Sequence, residues 1–171
     1  MNGKNKSTVY LVDSENVNDV WIQLVTVMDT QDEILVFYTE KSPHMSYEKV
    51  IELTRLSDRP IQWIKCVEGS NALDFQLVTE LGARVAVSPD RAFVIVSNDT
   101  GFDAAVKYWV QRDKDVCRMK STECKKLAQT LRARAGASGN GSVHTLTPMP
   151  EAEHGELEPE YLTAIEQLSA S

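Results

Sequence analysis

Four aspartates lie at positions where their carboxylates could act on one ligand. Asp13 closes the apolar segment TVYLVD, Asp99 follows the apolar segment FVIV, Asp103 lies four residues later, and Asp74 begins a helical pattern. Carboxylates held together repel one another unless cations neutralise them or some of them stay protonated. Hard oxygen ligands favour Mg²⁺ or Mn²⁺ over zinc, and no His or Cys lies in these segments. The residue types and their positions therefore predict a divalent-metal site.

A metal ion held by carboxylates suits the hydrolysis of phosphodiester bonds. Positions left open on the ion accept water and phosphate, and the ion makes hydroxide available. Each acid also has a simpler explanation, because Asp74 and Asp103 would complement a helix dipole and Asp99 would belong to a turn. Asp13 is harder to explain in this way, since a buried acid is costly unless it is used or paired.

The elements around these acids alternate between strand and helix patterns. Apolar segments predict strands at 8–13, 33–39, 60–66, 92–97 and 115–119. Helical spacing predicts helices at 17–28, 46–56, 70–87, 101–112 and 122–136. Asn16 is a natural N-cap for the first helix, and Glu15 would be a turn residue.

This alternation predicts an α/β fold. We expect a three-layer α/β/α Rossmann-like arrangement, in which helices cover both faces of a central, mainly parallel five-stranded sheet. Ligands of such sheets bind beyond the carboxyl ends of the strands. Asp13 and Asp99 therefore converge if the first and fourth strands are neighbours.

The charge distribution divides the C-terminal half of the chain. The 171 residues carry a net charge of −7, yet residues 104–135 hold nine basic and three acidic side chains, and residues 136–171 hold six acidic and no basic ones. The basic segment indicates either a polyanion partner or a solvated helix face. We expect a domain over 1–135, a Gly/Ser/Pro-rich flexible linker over 136–157, and a short helix or tail over 158–171. The acidic tail would contact the basic helix, dock a protein partner or stay disordered.

Several protein classes fit this sequence poorly. No apolar run reaches the roughly 18 residues that span a bilayer, and the N-terminus lacks the apolar core of a signal peptide. We therefore expect a cytoplasmic protein without a membrane partner. The three cysteines form no CxxC motif, which argues against a disulfide or zinc framework.

Three sequence blocks resemble the PIN-like nucleases, especially their NYN-type branch. These blocks are YLVDSENV at 10–17, GSNALDFQLVTELG at 69–82 and FVIVSNDTGFDAAVKYW at 93–109, and the likeness extends over about residues 8–120. The resemblance implies a Rossmann-like fold with an acidic Mg²⁺ or Mn²⁺ site that cuts RNA, usually single-stranded. Asp13, Asp74 and Asp99 would then be the core metal ligands, and Asp103 the additional acid of the fourth-strand motif.

The resemblance also assigns supporting roles. Asn16 would orient the first aspartate or contact phosphate, and Ser97 and Asn98 would position the motif loop. Many relatives carry a further acid after the second strand, for which Glu40 is favoured over Glu48. The common pattern S-G-D-x-D-F is here S-N-D-T-G-F-D. Asp103 therefore either holds the ion through water or does not hold it.

Cations and aromatic residues near these motifs are candidates for RNA binding. Lys107, Lys120, Lys125 and Lys126 follow the fourth-strand motif and would contact phosphates. Three aromatic residues would either stack on bases or pack in the core, namely Tyr38, Tyr108 and Trp109.

The sequence therefore predicts a Mg²⁺- or Mn²⁺-dependent endoribonuclease. The alternative is a catalytically weakened PIN-like protein that acts as an RNA- or protein-binding scaffold. A phosphatase is disfavoured, because its nucleophile and acid would read D-x-D, whereas residues 13–16 read D-x-E-N. Homo-oligomerisation stays open.

Overall fold

A computed structural model of the protein describes residues 6–56 and 61–137. Within these residues the strands are β1 (Thr8–Asp13), β2 (Glu33–Tyr38), β3 (Ile61–Lys65), β4 (Ala92–Val96) and β5 (Val116–Met119). The helices are α1 (Ser14–Val17), α2 (Ile22–Val25), α3 (Tyr47–Thr54), α4 (Ala72–Val87), α5 (Asp103–Val110) and α6 (Ser121–Ala137). A short 3₁₀-helix, Thr100–Phe102, leads into α5.

The five strands form one sheet in the order β3-β2-β1-β4-β5, and every neighbouring pair is parallel. β1 pairs with β4 so that Val12 lies opposite Val96, which brings the ends of these two strands to the same edge. The chain adds strands on one side of β1 and then on the other, so the strand order reverses between β1 and β4. This confirms that the first and fourth strands are neighbours, and the sheet is wholly rather than mainly parallel.

Two apolar layers cover the faces of the sheet. Along α4, Leu73, Leu77, Leu81 and Val85 recur every four residues and pack against one face of β1, together with α5. On the other face, α1, α2 and α6 bury a second cluster that contains Trp21, Ile22 and Cys124. The side chains of β1 alternate between the two clusters, as expected for a strand covered on both sides. The three-layer α/β/α prediction is confirmed.

The predicted helix over 17–28 is wrong as a continuous element. It is divided into α1 and α2, because Asn18 has a φ of 52° and breaks the helical path. Asn16 lies inside α1 and is not an N-cap. The apolar spacing in this segment reflects burial against one core rather than an unbroken helix, since Val17, Trp21 and Leu24 all belong to the same cluster.

The C-terminal boundary is partly visible. α6 continues through Gly136 to Ala137, slightly beyond the start of the predicted linker 136–157. The rest of that linker and the predicted tail 158–171 lie outside the described residues. In the described part of the chain, no helix combines the length and the apolar character needed to cross a bilayer.

Candidate metal centre

A cavity of about 290 Å³ opens at the carboxyl edge of the sheet and holds three of the four predicted aspartates. Asp13 is the last residue of β1, Asp99 lies in the loop after β4, and Asp74 is in the first turn of α4. The other polar residues that line the cavity are Glu15, Asn16, Thr39, Lys41, Glu68 and Asn71. The cavity lies where the strand order reverses, which is the usual ligand position in such sheets.

Asp13 is the most buried of these acids, with 3% of its surface exposed. Burial raises the pKa of its carboxyl to about 6, and the negative charge of Asp74 acts in the same direction. The Ser97 hydroxyl donates a hydrogen bond of 2.8 Å to the Asp13 carboxylate, and the Asn16 backbone donates another, so both oppose this rise in pKa. Asp13 is therefore a carboxylate that a nearby cation would stabilise.

Ser97 links the two strand-end aspartates. Its hydroxyl donates to Asp13 and accepts from the Asp99 backbone N–H at 3.0 Å. The Asp99 carboxylate in turn accepts from the Gly101 N–H at 2.7 Å and so caps the 3₁₀-helix. One hydroxyl and one turn thus fix the loop that carries Asp99 relative to the end of β1.

Asn98 connects three segments around the cavity. Its backbone N–H donates to the Asn16 side-chain oxygen at 3.2 Å, and its side-chain NH₂ donates to the Asn16 carbonyl at 3.1 Å. Its side-chain oxygen accepts from both the backbone N–H and the hydroxyl of Ser121 at 3.0 Å. Asn98 therefore holds α1, the β4 loop and the first residue of α6 together.

Glu15 belongs to the cavity, although the sequence suggested only a turn residue. It lies on α1, and the Thr39 hydroxyl donates to its carboxylate. Burial raises the pKa of Asp74, and the charges of Asp99 and Glu15 raise it further. The acids thus lie within electrostatic reach of one another. The D-x-E-N spacing was the available signal for Glu15, whereas no local signal marked Glu68 or Lys41.

Asp103 lies apart from the other three aspartates and does not line the cavity. Its carboxylate accepts two hydrogen bonds from the Arg118 guanidinium, at 2.7 Å from Nε and 3.2 Å from Nη2. These bonds hold the pKa of Asp103 below its usual value, and the charges of Lys107 and Lys120 contribute. Arg118 also donates to the Ser97 carbonyl at 3.1 Å, so the ion pair supports the loop that carries Asp99.

Glu40 and Glu48 also lie away from the cavity. β2 ends at Tyr38, and Glu40 turns toward Lys65 on β3, with which it forms an exposed ion pair of 3.2 Å. Glu48 lies in the first turn of α3, where hydrogen bonds from its own backbone and from Ser46 lower the pKa of its carboxyl. Neither side chain lines the acidic cavity.

The remaining candidates lie at three different places. The predicted RNA-contacting lysines are exposed, and they are Lys107, Lys120, Lys125 and Lys126. Tyr108 lies beneath the Arg112 guanidinium, 3.6 Å from the ring centroid, and Trp109 packs against the core beneath α4. Tyr38 lines a separate groove of about 570 Å³ with Trp21 and Trp63. Trp109 therefore has the core role, whereas Tyr38 faces an open groove.

The comparison with protein families agrees with this geometry. The family description "PIN domain" matches residues 7–119, which is more than half of the chain. The chain belongs to the PIN domain family. Members of this family are generally metal-dependent nucleases. The matched part of the PIN domain runs from β1 to β5 and includes all four predicted aspartates. A search of curated proteins found no match.

The donor set of this PIN domain fits a hard divalent cation in its chemistry. The described residues that line the cavity offer carboxylate, amide and hydroxyl oxygens, which Mg²⁺ and Mn²⁺ prefer, and they include no sulfur or imidazole. Over residues 6–56 and 61–137, no three Asp, Glu, His or Cys side chains are already arranged to hold one ion. Binding therefore requires the carboxylates to move closer. Burial first, and the charges of neighbouring acids second, raise the pKa values of Asp13 and Asp74, and a bound cation would offset both effects.

Proposed function

We propose that this PIN domain is a Mg²⁺- or Mn²⁺-dependent endoribonuclease of the NYN-type branch that hydrolyses single-stranded RNA. The observation that carries this proposal is the convergence of Asp13, Asp74 and Asp99 in one cavity at the carboxyl edge of the sheet. Family membership supports nuclease chemistry in general. The D-x-E-N and S-N-D-T-G-F-D motifs support the NYN-type assignment.

Asp13, Asp74 and Asp99 would hold the ion, and Glu15 is a fourth acid within the same cavity. A bound Mg²⁺ or Mn²⁺ supplies hydroxide at neutral pH and neutralises charge on the phosphate. In-line attack of water on phosphorus leaves 5′-phosphate and 3′-hydroxyl ends. We assign Asp103 a positioning role through Arg118, because its carboxylate is already paired.

The polar residues of the loops position these acids. Ser97 sets the spacing between Asp13 and Asp99 by bonding to both. Asn16 and Asn98 join α1 to the loop after β4 through two hydrogen bonds. A fixed arrangement of this kind lowers the cost of bringing reacting groups into position.

Exposed cations around Asp103 and on α6 would bind the RNA backbone. Lys107 and Lys120 lie near enough to Asp103 to lower its pKa, and Lys125 and Lys126 are exposed on α6. Each phosphate contact contributes about one counterion to the salt dependence of binding. Replacing Lys120 by Ala should therefore weaken binding for all sequences alike and reduce the slope of log K against log salt by about 1.

The experiment compares cleavage of single-stranded RNA in Mn²⁺ by the wild-type protein and by Asp99→Asn. The asparagine oxygen can still accept from the Gly101 N–H, so the turn is kept while the carboxylate charge is lost. Asp90→Asn is the matched control, because Asp90 is an exposed acid before β4, at the opposite edge of the sheet. We expect the control to cleave like the wild type and Asp99→Asn to lose cleavage. Equal cleavage by all three proteins would indicate a contaminating nuclease and refute the proposal.

A catalytically weakened scaffold is the second candidate. The pairing of Asp103 with Arg118 and the need for the other acids to move closer favour it. An ion that binds the folded state raises the melting temperature as its concentration increases. A melting temperature that does not respond to Mn²⁺, in a protein that still binds RNA, would favour the scaffold over the nuclease.

A further inference from the structure

Phe75 is an exposed aromatic residue directly beside a proposed metal ligand. It follows Asp74 on α4, and 66% of its surface is exposed. The apolar repeat of α4 faces the core through residues such as Leu73 and Leu77, so Phe75 points away from that core. Exposure of a single apolar side chain is ordinary in proteins, but a contiguous apolar surface next to a polar site indicates ligand binding.

Phe75 lines a groove of about 310 Å³ between α4 and the start of α5, here called the Phe75 groove. Its apolar lining residues are Phe75, Val78, Phe102, Ala104 and Ala105. The groove also shares Asn71, Asp74 and Asp99 with the acidic cavity. A ligand in the groove would therefore lie next to a ligand bound by the acids of the cavity.

We propose that the Phe75 groove binds a nucleobase of the RNA next to the phosphate that is cut, with the base stacked on the Phe75 ring. This inference rests on the proposed function. Base stacking on aromatic side chains is the general means by which proteins bind single strands, since every base has an aromatic face. The volume is near the lower limit of ligand pockets, about 300 Å³, and so suits one ring system rather than a large ligand.

The composition of the groove lining favours a base over other occupants. Asp74 and Asp99 lie where the groove joins the cavity, and the described residues that line the groove include no Lys, Arg or His that could bind a second phosphate. A nucleobase is neutral and presents a flat apolar face to Phe75, Ala104 and Ala105. The strand would thus place its phosphate in the cavity and its adjacent base in the groove.

The lining also indicates how selective this subsite is. Apart from the two acids at the mouth, Asn71 is the one residue with a hydrogen-bonding side chain among the described residues that line the groove. Recognition would come from stacking rather than from base edges, so all four bases should be accepted. A base within a duplex has its faces covered by its neighbours, and the groove would therefore favour unpaired RNA.

The test measures the binding of two fluorescent strands of equal length by anisotropy. One is oligoadenylate, and the other is a chain of abasic ribose phosphates that keeps every phosphate but has no bases. The proteins are the wild type, Phe75→Ala, Phe75→Trp and the control Val87→Ala, which removes another exposed apolar side chain, at the far end of α4. Ca²⁺ replaces Mn²⁺ to slow cleavage during the measurement.

We expect Phe75→Ala to weaken the binding of oligoadenylate about tenfold, as for other stacked bases, and to leave the abasic strand unaffected. Phe75→Trp should retain binding, and Val87→Ala should match the wild type. An equal loss for both strands, or no loss, overturns the inference. So does a mass measurement in which the wild type is a dimer and Phe75→Ala is a monomer, because the groove would then be covered by a second copy.

These outcomes separate the inference from the function on which it rests. RNA cleavage that depends on Asp99, combined with unchanged binding by Phe75→Ala, overturns only the base subsite. A wild-type protein that neither binds nor cuts RNA overturns both.

Discussion

Replacement of Asp13 by Asn should make the protein more stable at neutral pH while it abolishes cleavage. Asp13 is almost completely buried, and its carboxylate accepts a hydrogen bond from the Ser97 hydroxyl. Asn has nearly the same shape, and its side-chain oxygen can accept the same bond. The substitution therefore removes the buried charge and can keep the bond from Ser97, whereas the NH₂ group that replaces one carboxylate oxygen cannot accept a hydrogen bond.

The magnitude follows from the raised pKa of Asp13. The pKa lies at about 6 in the folded protein against 3.8 ordinarily, so the folded state holds this proton more tightly than the unfolded state does. The stability that protonated Asp13 contributes is present in full below pH 4 and is lost as the pH rises through about 6. At about 1.4 kcal/mol for each pH unit between the two values, the loss approaches about 3 kcal/mol above pH 7.

The assay is urea unfolding of the wild type and of Asp13→Asn without divalent ions. At pH 4 the two proteins should differ little, because both side chains are then largely neutral. At pH 7.5 we expect Asp13→Asn to be more stable by about 1–3 kcal/mol. Asp90 is exposed, so the unfolding free energy of the control Asp90→Asn should stay within about 0.5 kcal/mol of the wild type.

Two results would refute this reasoning. If Asp13→Asn were less stable than the wild type at pH 7.5, the hydrogen-bond partners of the buried carboxylate would outweigh the cost of burying its charge. If the difference in unfolding free energy did not change between pH 4 and 7.5, Asp13 would not titrate in this range. Addition of Mn²⁺ should stabilise the wild type much more than the variant, since the ion offsets the cost of the buried charge that the substitution removes.

Further substitutions test the surroundings of the acids. An alanine Cβ at Gly101 would lie 3.2 Å from an Asp99 carboxylate oxygen, so Gly101→Ala should diminish the rise in melting temperature with Mn²⁺. An unchanged response to Mn²⁺ would contradict this. Gly82→Ala is the matched substitution in a helix interior, where the added Cβ would make only an ordinary contact, 3.7 Å from the Trp109 ring. Urea unfolding should show that this variant is more stable than the wild type by about 0.5–1 kcal/mol. A less stable variant would argue against that packing. Arg118→Ala removes the guanidinium that binds the Asp103 carboxylate, so the pKa of that carboxyl should rise toward its ordinary value in an NMR titration. The same pKa in the variant and the wild type would exclude the ion pair.

The sequence contained most of the information needed for the fold. Buried strands such as β1 and β4 were predicted because continuous apolar segments of this length seldom occur elsewhere, and the alternation with helices determined the parallel sheet. The break between α1 and α2 was missed, since apolar periodicity reports which side chains are buried and not whether the backbone between them is continuous. The positive φ of Asn18 is a local backbone conformation that the pattern of the flanking apolar residues does not predict.

The candidate site was predictable to the extent that strand ends determine it. Asp13 and Asp99 meet because parallel strands end at one edge, and Asp74 joins them because α4 begins at that edge. The partner of Asp103 was not predictable, since Arg118 lies fifteen residues away on β5 and reaches it only through the pairing of β4 with β5. The position of Glu40 was not predictable for a similar reason, because the direction of a side chain just beyond a strand depends on neighbours such as Lys65.

The amide of Asn98 has a mechanical consequence for α6. Because this one side chain binds both the Asn16 carbonyl and the first residue of α6, a tilt or slide of the helix would strain hydrogen bonds of the loop that carries Asp99. α6 rests on α2 and presents Lys125 and Lys126 to solvent. A displacement of this helix would thus shift the loop that carries Asp99 and change the distances between the carboxylates, although α6 itself contributes none of them.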